Sequence, residues 1–442
     1  MSRTTEPAPN APPAPSHRPS KAVYRRRRIV VFGALAVVLG LLVGAGVYAD
    51  RALGAPVPFA VPAIDDPEPI AAEATVVVEP GFGTWAVGAT GFDGFMAAGG
   101  EDTPMPMASI AKVVTALLVL QEHPVGEGEA GPEIAYTGAD VDIYWDMVAQ
   151  NGSVAPVVAG SSLSLVESLE AMMLPSGNNY SISLANWAFG SVDAYVDRAN
   201  AWLAEQGLAQ TRIADSSGLS LANVSTAADL VRLGGIALRD PVLADIVATQ
   251  SVEIPELGTI ENTNGLLGTH GVDGIKTGTT DDAANLLFSA DVAVDDEQVT
   301  LVGVVLGGET HAAVRGAVAA LVDSIGPGFR TVDALESGRP LAAYATPWGQ
   351  TATARATEGV SVLVWSDTAV DVAVEADPLH LADAGDEVGT ATVTAGGEVV
   401  TVPLELDASL DDPGTWWRLT NPGGLDEGAA AVQPSPRPTP SG

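Results

Sequence analysis

Residues 107–120 read MASIAKVVTALLVL, an apolar helical run that carries Ser109 and Lys112. Side chains three positions apart lie on one face of a helix, so the pattern sets a hydroxyl and an ammonium side by side. Burying that charge is costly unless it is paired or used. The plain alternative is a core lysine whose stem lies along apolar surface while its head reaches water. Lysine usage weighs against it. The chain has three lysines, Lys21, Lys112 and Lys276, and beyond residue 49 it uses 11 arginines against the remaining two. Arginine stays protonated, whereas a buried lysine can lower its pKa and accept a proton. The second retained lysine opens Lys276-Thr277-Gly278.

At 442 residues the chain is long enough for two or three domains. It has no cysteine, which excludes disulfides, thiolate metal sites and a cysteine nucleophile. The five histidines, His17, His123, His270, His311 and His380, show no metal-ligand spacing. The sequence therefore calls for no metal and no cofactor. No GxSxG elbow supports a Ser-His-Asp triad. The formal charge of −35 is uneven: residues 1–28 carry +6 and the remainder −41. So acidic a body argues against nucleic acid as a partner.

Between these parts lies IVVFGALAVVLGLLVGAGVYA, residues 29–49, without a charge. At about 1.5 Å per residue it spans a hydrocarbon core of roughly 30 Å. Arg25–Arg28 precede it, so the positive-inside rule keeps the N-terminus cytoplasmic and places the rest outside the membrane. The run exceeds the roughly 7–15 apolar residues of a cleaved signal peptide, and a single-pass anchor is expected.

The order of segments divides the chain further. Residues 1–28 read as a disordered basic tail, 50–70 as a Pro-rich linker, semi-extended, and 71–330 as the main domain. In ATVVVEPGFGTWAVGAT two strands are expected around a Pro/Gly turn. The stretch 122–162 is polar and rich in Gly, Asp and Pro. Pro175 interrupts two helical runs, leaving Ser176-Gly177-Asn178 on the loop between them. NLLFSADVAV and TLVGVVLGG read as antiparallel strands and HAAVRGAVAALVDSI as a closing helix, which makes the domain α+β, with helices on an antiparallel sheet. Residues 341–423 alternate over short segments, TWWRLTN included, and read as a small all-β domain in which Trp416-Trp417 is buried rather than a sugar-binding patch. Residues 424–442 read as a disordered tail.

Ser109-Ile110-Ala111-Lys112, Ser176-Gly177-Asn178 and Lys276-Thr277-Gly278 follow one another in the order of the SxxK, SxN and KTG elements of the penicillin-recognising serine enzymes. Alone, the second is a natural turn and the third a strand end. With the flanking MASIAKVVTALLVL, LPSGNNYSISLA, DSSGLS, VSTAADLVRL and NTNGLLGTHGVDGIKTGTT, the chain resembles the low-molecular-weight D-alanyl-D-alanine carboxypeptidases (peptidase S11) over roughly residues 70–330.

That resemblance implies a penicillin-binding/β-lactamase-like serine transpeptidase fold and a substrate, peptidoglycan stem peptides ending in D-Ala-D-Ala, with β-lactams as covalent inhibitors. It assigns Ser109 as nucleophile, Lys112 as base and Ser176 as proton relay. Asn178 would hold Lys112 and the substrate backbone, Thr277 would bind the terminal carboxylate, and Lys276 would either lower the Lys112 pKa as a neighbouring cation or favour that carboxylate. Gly278 would let the strand approach the ligand, and the backbone N–H groups of Ser109 and Thr279 would form an oxyanion hole. Asp281 and Asp282 read as a solvated turn. The alternatives are a D,D-endopeptidase, a β-lactamase, or an inactive wall-binding protein. No Glu-x-x-Leu-Asn stretch follows the SxN element, which argues against a class A β-lactamase.

Overall fold

The computed structural model describes residues 20–421. The expectations for residues 1–19 and for the 424–442 tail lie outside the described residues.

A single 34-residue helix, Lys21–Gly54, opens the described chain. It is long and apolar enough to cross a membrane, with a mean hydropathy of 2.6 over its most apolar window and none of that window buried. It is longer than the apolar run: Lys21 and Arg25–Arg28, expected in a disordered tail, form its first turns. The segment after it also departs from a tether. Val57 and Ala60 are buried, Ala63–Ile64 pairs with the strand Pro340–Ala345, and Ile70 bridges Val370. Its alternating apolar residues find an open sheet edge, and edge backbone groups are satisfied by pairing.

The main body is α+β. Its sheet runs in the order Val272–Thr279, Ala284–Val294, Glu297–Gly308, Thr84–Ala89, Ala97–Gly99, antiparallel throughout. Successive side chains in a strand point to opposite faces. Leu287, Val302 and Val304 accordingly join the cluster made by the helices Lys112–Glu122, Leu165–Met173, Asn178–Phe189 and Ala227–Ala237. Their neighbours Leu286, Phe288 and Val305 pack under the helix His311–Ile325. Helices on both faces explain why these strands read as nearly unbroken apolar runs.

Two local expectations are corrected. Residues 74–79 form no strand, and Val76 is 84% exposed; only Thr84–Ala89 of the expected pair is formed. The polar stretch 122–162 contains the helix Gly138–Ala149, started by a capping box of Thr137 and Asp140. Thr226 caps Ala227–Ala237 by accepting a bond from the Asp229 N–H.

Beyond the main body the chain is β-rich. A six-stranded antiparallel sheet contains Pro340–Ala345, Thr351–Ala356, Glu398–Leu406, Glu387–Ala395 and Val370–Ala376, with Ala63–Ile64 on its edge. Phe329–Leu335 pairs separately with Val360–Trp365. Their alternating Ala, Val and Leu residues share one core, including Leu341, Val362, Val393 and Leu404. TWWRLTN is not a strand here. Gly414–Thr420 is a short helix, and Trp416 is 79% exposed rather than buried between sheets. The side chain of Asp412 accepts from the Gly414 N–H and so satisfies a donor at the helix start.

Candidate active site

The turn that carries Ser109 is built from backbone first. A short 3-10 helix, Ala108–Ala111, runs directly into Lys112–Glu122. Ala108 holds φ 51°, a left-handed conformation that costs a non-glycine residue roughly 1–2 kcal/mol. Two glycines make room for this turn. A Cβ on Gly218, itself at φ +82°, would lie 2.0 Å from the Ala108 carbonyl oxygen, and one on Gly278 would lie 2.7 Å from that of Met107. Gly278 therefore lets its strand close on the turn that carries Ser109. The Ser109 N–H is among the donors that a helix start leaves without an intrahelical partner.

Lys112 is fully buried. Its Nζ donates to Ser109 Oγ at 2.9 Å, Asn178 Oδ1 at 2.6 Å and the Ser217 carbonyl at 2.7 Å. Ser109 is half-buried and so open to a ligand. All three acceptors are neutral, so nothing beside the amine repays its desolvation with an opposite charge. Burial and the charge of Lys276 hold Lys112 well below its ordinary value, and Asp215 offsets this only in part. An amine so placed is neutral enough to take a proton from Ser109.

Lys276 is also buried, and burial lowers it to about 7. Its one side-chain bond among the described residues is a long one to Thr277 Oγ1, 3.5 Å. Thr277 Oγ1 in turn meets Thr263 Oγ1 at 2.6 Å. Asn178 opens its helix, with its N–H on the Ser153 carbonyl. Ser176 lies just before it at φ 65° and is 5% exposed; its hydroxyl makes no hydrogen bond among the described residues. The structure thus brings Ser109 and Asn178 onto the Lys112 amine and sets Gly278 against the turn that carries Ser109. Ser176 and Lys276 are held nearby on their own elements without a bond to Ser109.

Sequence reasoning missed three contributors. The first is Asp215. Its Oδ1 accepts from Ser217 N, Ser217 Oγ, Gly218 N and Leu219 N, and its Oδ2 from Ser220 N and Asn223 Nδ2. Burial would raise this carboxyl, but the bonds from Ser220, Ser217 and Asn223 outweigh it and hold it below its ordinary value. The result is a rigid loop that aims the Ser217 carbonyl at Lys112. Thr115, one turn beyond Lys112, ties the same loop to its helix through the Ser216 carbonyl. The second is Thr263. The third is His311, whose Nε2 lies 2.7 Å from Thr279 Oγ1. Burial, with the charges of Arg315 and Lys276, keeps that imidazole below its ordinary value. DSSGLS and NTNG carried the only signal for Asp215 and Thr263, as flanks without a stated role, and an isolated histidine gave none. A cleft of 390 Å³, lined by Met147, Gln150, Ile182, Val192 and Leu219, opens against the outer side of the Asp215 loop.

The family described as D-alanyl-D-alanine carboxypeptidase matches residues 88–310, a span that holds Ser109, Lys112, Ser176, Asn178, Asp215, Thr263 and Lys276–Thr279 and ends one residue before His311. The chain is 29% identical over 243 residues to D-alanyl-D-alanine carboxypeptidase DacA of Escherichia coli, covering 53% of this chain and 58% of that protein. It is 31% identical over 194 residues to a D-alanyl-D-alanine endopeptidase of Pseudomonas aeruginosa, covering 42% of this chain and 59% of that protein. It thus aligns with under two thirds of the length of these curated relatives. Penicillin binding protein 5 from Haemophilus influenzae superposes with a TM-score of 0.53 at 21% identity, over 76% of this chain and 98% of that one, a likeness of fold.

Proposed function

Because the chain belongs to the D-alanyl-D-alanine carboxypeptidase family, we propose that it is a serine D,D-carboxypeptidase that trims peptidoglycan stem peptides ending in D-Ala-D-Ala. The observation that carries this reading is the fully buried Lys112 Nζ, 2.9 Å from Ser109 Oγ and without a carboxylate partner among the described residues.

In this reading Ser109 Oγ attacks the carbonyl between the two D-alanines as its proton passes to neutral Lys112. The oxyanion is met by the N–H groups of Ser109 and Thr279. The peptide C–N bond breaks, the proton is delivered to the departing amine by way of Ser176, and free D-alanine leaves. Water then attacks the ester, again giving its proton to Lys112, and Ser109 is restored. Asn178 holds the base in register and offers its amide to the substrate backbone. The terminal carboxylate is received by Lys276 and Thr277, and a lysine that meets no carboxylate among the described residues suits that task in so acidic a protein. The helix Lys21–Gly54 would anchor the enzyme, its N-terminus cytoplasmic beside Arg25–Arg28 and the catalytic body outside the membrane.

Endopeptidase action on cross-linked stem peptides is the second reading, favoured by the 31% identity to a relative with that name. One experiment separates the readings. The full-length protein is incubated with a linear D-Ala-D-Ala peptide and with purified cross-linked muropeptides, and the products are identified by mass spectrometry. Free D-alanine from the linear peptide is expected. Cleavage confined to the cross-link would favour the endopeptidase, and no reaction with either would overturn both. With benzylpenicillin, a slowly released adduct on the peptide containing Ser109 is expected. Rapid many-fold turnover would indicate a β-lactamase.

A further inference from the structure

The reading of Lys21–Gly54 as a transmembrane anchor has a consequence at the other end of the chain. The apolar run 29–49 spans roughly 30 Å, so Tyr48 comes to lie at the level of the outer membrane–water boundary. Tyr48 is bonded there: its hydroxyl donates to the Leu419 carbonyl at 2.6 Å. Arg418 fixes the same junction. Its guanidinium donates to the carbonyls of Leu53 and Ala55, at the end of the anchor helix, and pairs with Asp412. The short helix Gly414–Thr420 is therefore held at the height where the anchor leaves the membrane.

Its two tryptophans are treated differently. Trp417 turns inward, its ring 5.6 Å from that of Trp348. Trp416 turns outward and is 79% exposed, and Leu53 on the anchor is 43% exposed. An outward indole is poorly placed in water but well placed among lipid headgroups, where its apolar body and polar N–H are both accommodated. We propose that Gly414–Thr420 is a second membrane contact, seated in the outer interfacial layer through Trp416 and holding the β-rich body against the bilayer. The inference rests on the anchor reading. Arg418 is already committed to Asp412 and to backbone carbonyls, so the contact depends on the indole rather than on anionic lipid. A glycan platform is disfavoured by the helix's position beside the anchor.

The absence of native cysteine makes the test direct. Single cysteines are introduced in the full-length protein as Thr415→Cys, Leu39→Cys and Leu221→Cys, spin-labelled and reconstituted in phosphatidylcholine nanodiscs. Collision of each label with oxygen and with a water-soluble nickel complex is then compared. Position 39 reports the anchor and exposed Leu221 reports bulk water. The expected oxygen-to-nickel ratio at 415 is several-fold above that at 221 and below that at 39. It is unchanged when phosphatidylglycerol is included, and it falls toward the value at 221 when Trp416→Asp is added. A ratio at 415 equal to that at 221, with 39 deep, overturns the second contact while leaving the anchor standing. A watery position 39 overturns the anchor and the proposal together. Dipolar broadening at 415 would assign the surface to a second copy, and immobilisation only on adding soluble glycan fragments would assign it to the wall; either overturns the lipid contact.

Discussion

Asp215→Asn is the most informative substitution in the candidate site, because the carboxylate is bonded to the loop and never to Ser109. With the amide in its better orientation, Oδ1 keeps its bonds from Ser217, Gly218 and Leu219. The new NH₂ then faces two donors, Ser220 N and Asn223 Nδ2, formerly at 2.7 and 2.9 Å. Bonds to a charged acceptor contribute about 1.5–3 kcal/mol each, so losing two removes roughly 3–6 kcal/mol from the loop. The Ser217 carbonyl then drifts from Lys112, a further neutral bond of about 1 kcal/mol, and acylation slows by roughly tenfold or more. A second effect acts separately. The Asp215 charge raises the Lys112 pKa, so its removal lowers that pKa further and moves the acidic limb of the acylation profile to lower pH. The assay is acylation by a fluorescent penicillin from pH 5 to 9, with thermal unfolding followed in parallel. A slower rate at every pH, a shifted acidic limb and a lower melting temperature are expected. Wild-type acylation with unchanged melting would refute Asp215 as the organiser of the base.

Ser109→Ala should abolish covalent penicillin labelling without lowering the melting temperature; labelling at the wild-type rate would remove Ser109 as nucleophile. Lys112→Arg should lose more than about nine-tenths of the acylation rate, since arginine stays protonated, and stopped-flow acylation decides it. Gly278→Ala places a methyl 2.7 Å from the Met107 carbonyl oxygen, so it should lower stability by about 1–3 kcal/mol and slow acylation, read by denaturant unfolding and penicillin labelling. Lys276 titrates at about 7 in the free enzyme. Raising the pH through that value removes the ammonium proposed to attract the substrate carboxylate, so kcat/KM for a D-Ala-D-Ala peptide should fall above about pH 7. Lys276→Arg, which keeps its charge, should retain binding to higher pH.

Ser109 and Lys112 were legible because a helix turn places them together whatever surrounds it, and Pro175 marked the break before Asn178 by removing a backbone donor. The sheet was legible too, since apolar runs bounded by Gly and Asp leave few other structures. Asp215 was hidden because its six bonds go mainly to a loop's own backbone, a pattern that forms only once the loop closes. His311 meets Thr279 across 32 residues, a separation no local pattern encodes. Trp and Thr favour strands by propensity, yet Gly414–Thr420 forms a helix because Asp412 satisfies its start and the anchor's last carbonyls hold Arg418. In Ala55–Ile70 the prolines suggested an open tether, while the edge that receives the segment belongs to strands almost 300 residues away.

That received segment removes slack. A free chain of about 16 residues would let its cargo wander over roughly 20 Å from the membrane. Here Ala60 exchanges backbone bonds with Leu379, Ile70 does so with Val370, and the Phe59 ring stacks on His380 at 3.7 Å. If Lys21–Gly54 is the proposed anchor, the body is thereby mounted like a tool on a fixed post, with its working radius set by the body itself. On the proposed function and anchor, wall peptides within that radius would meet Ser109 at a constant altitude, and those deeper in the wall would lie out of range however many copies of the enzyme are present. Replacing residues 55–70 with a Gly/Ser chain would change which layer of the wall is trimmed while leaving the chemistry at Ser109 as it was.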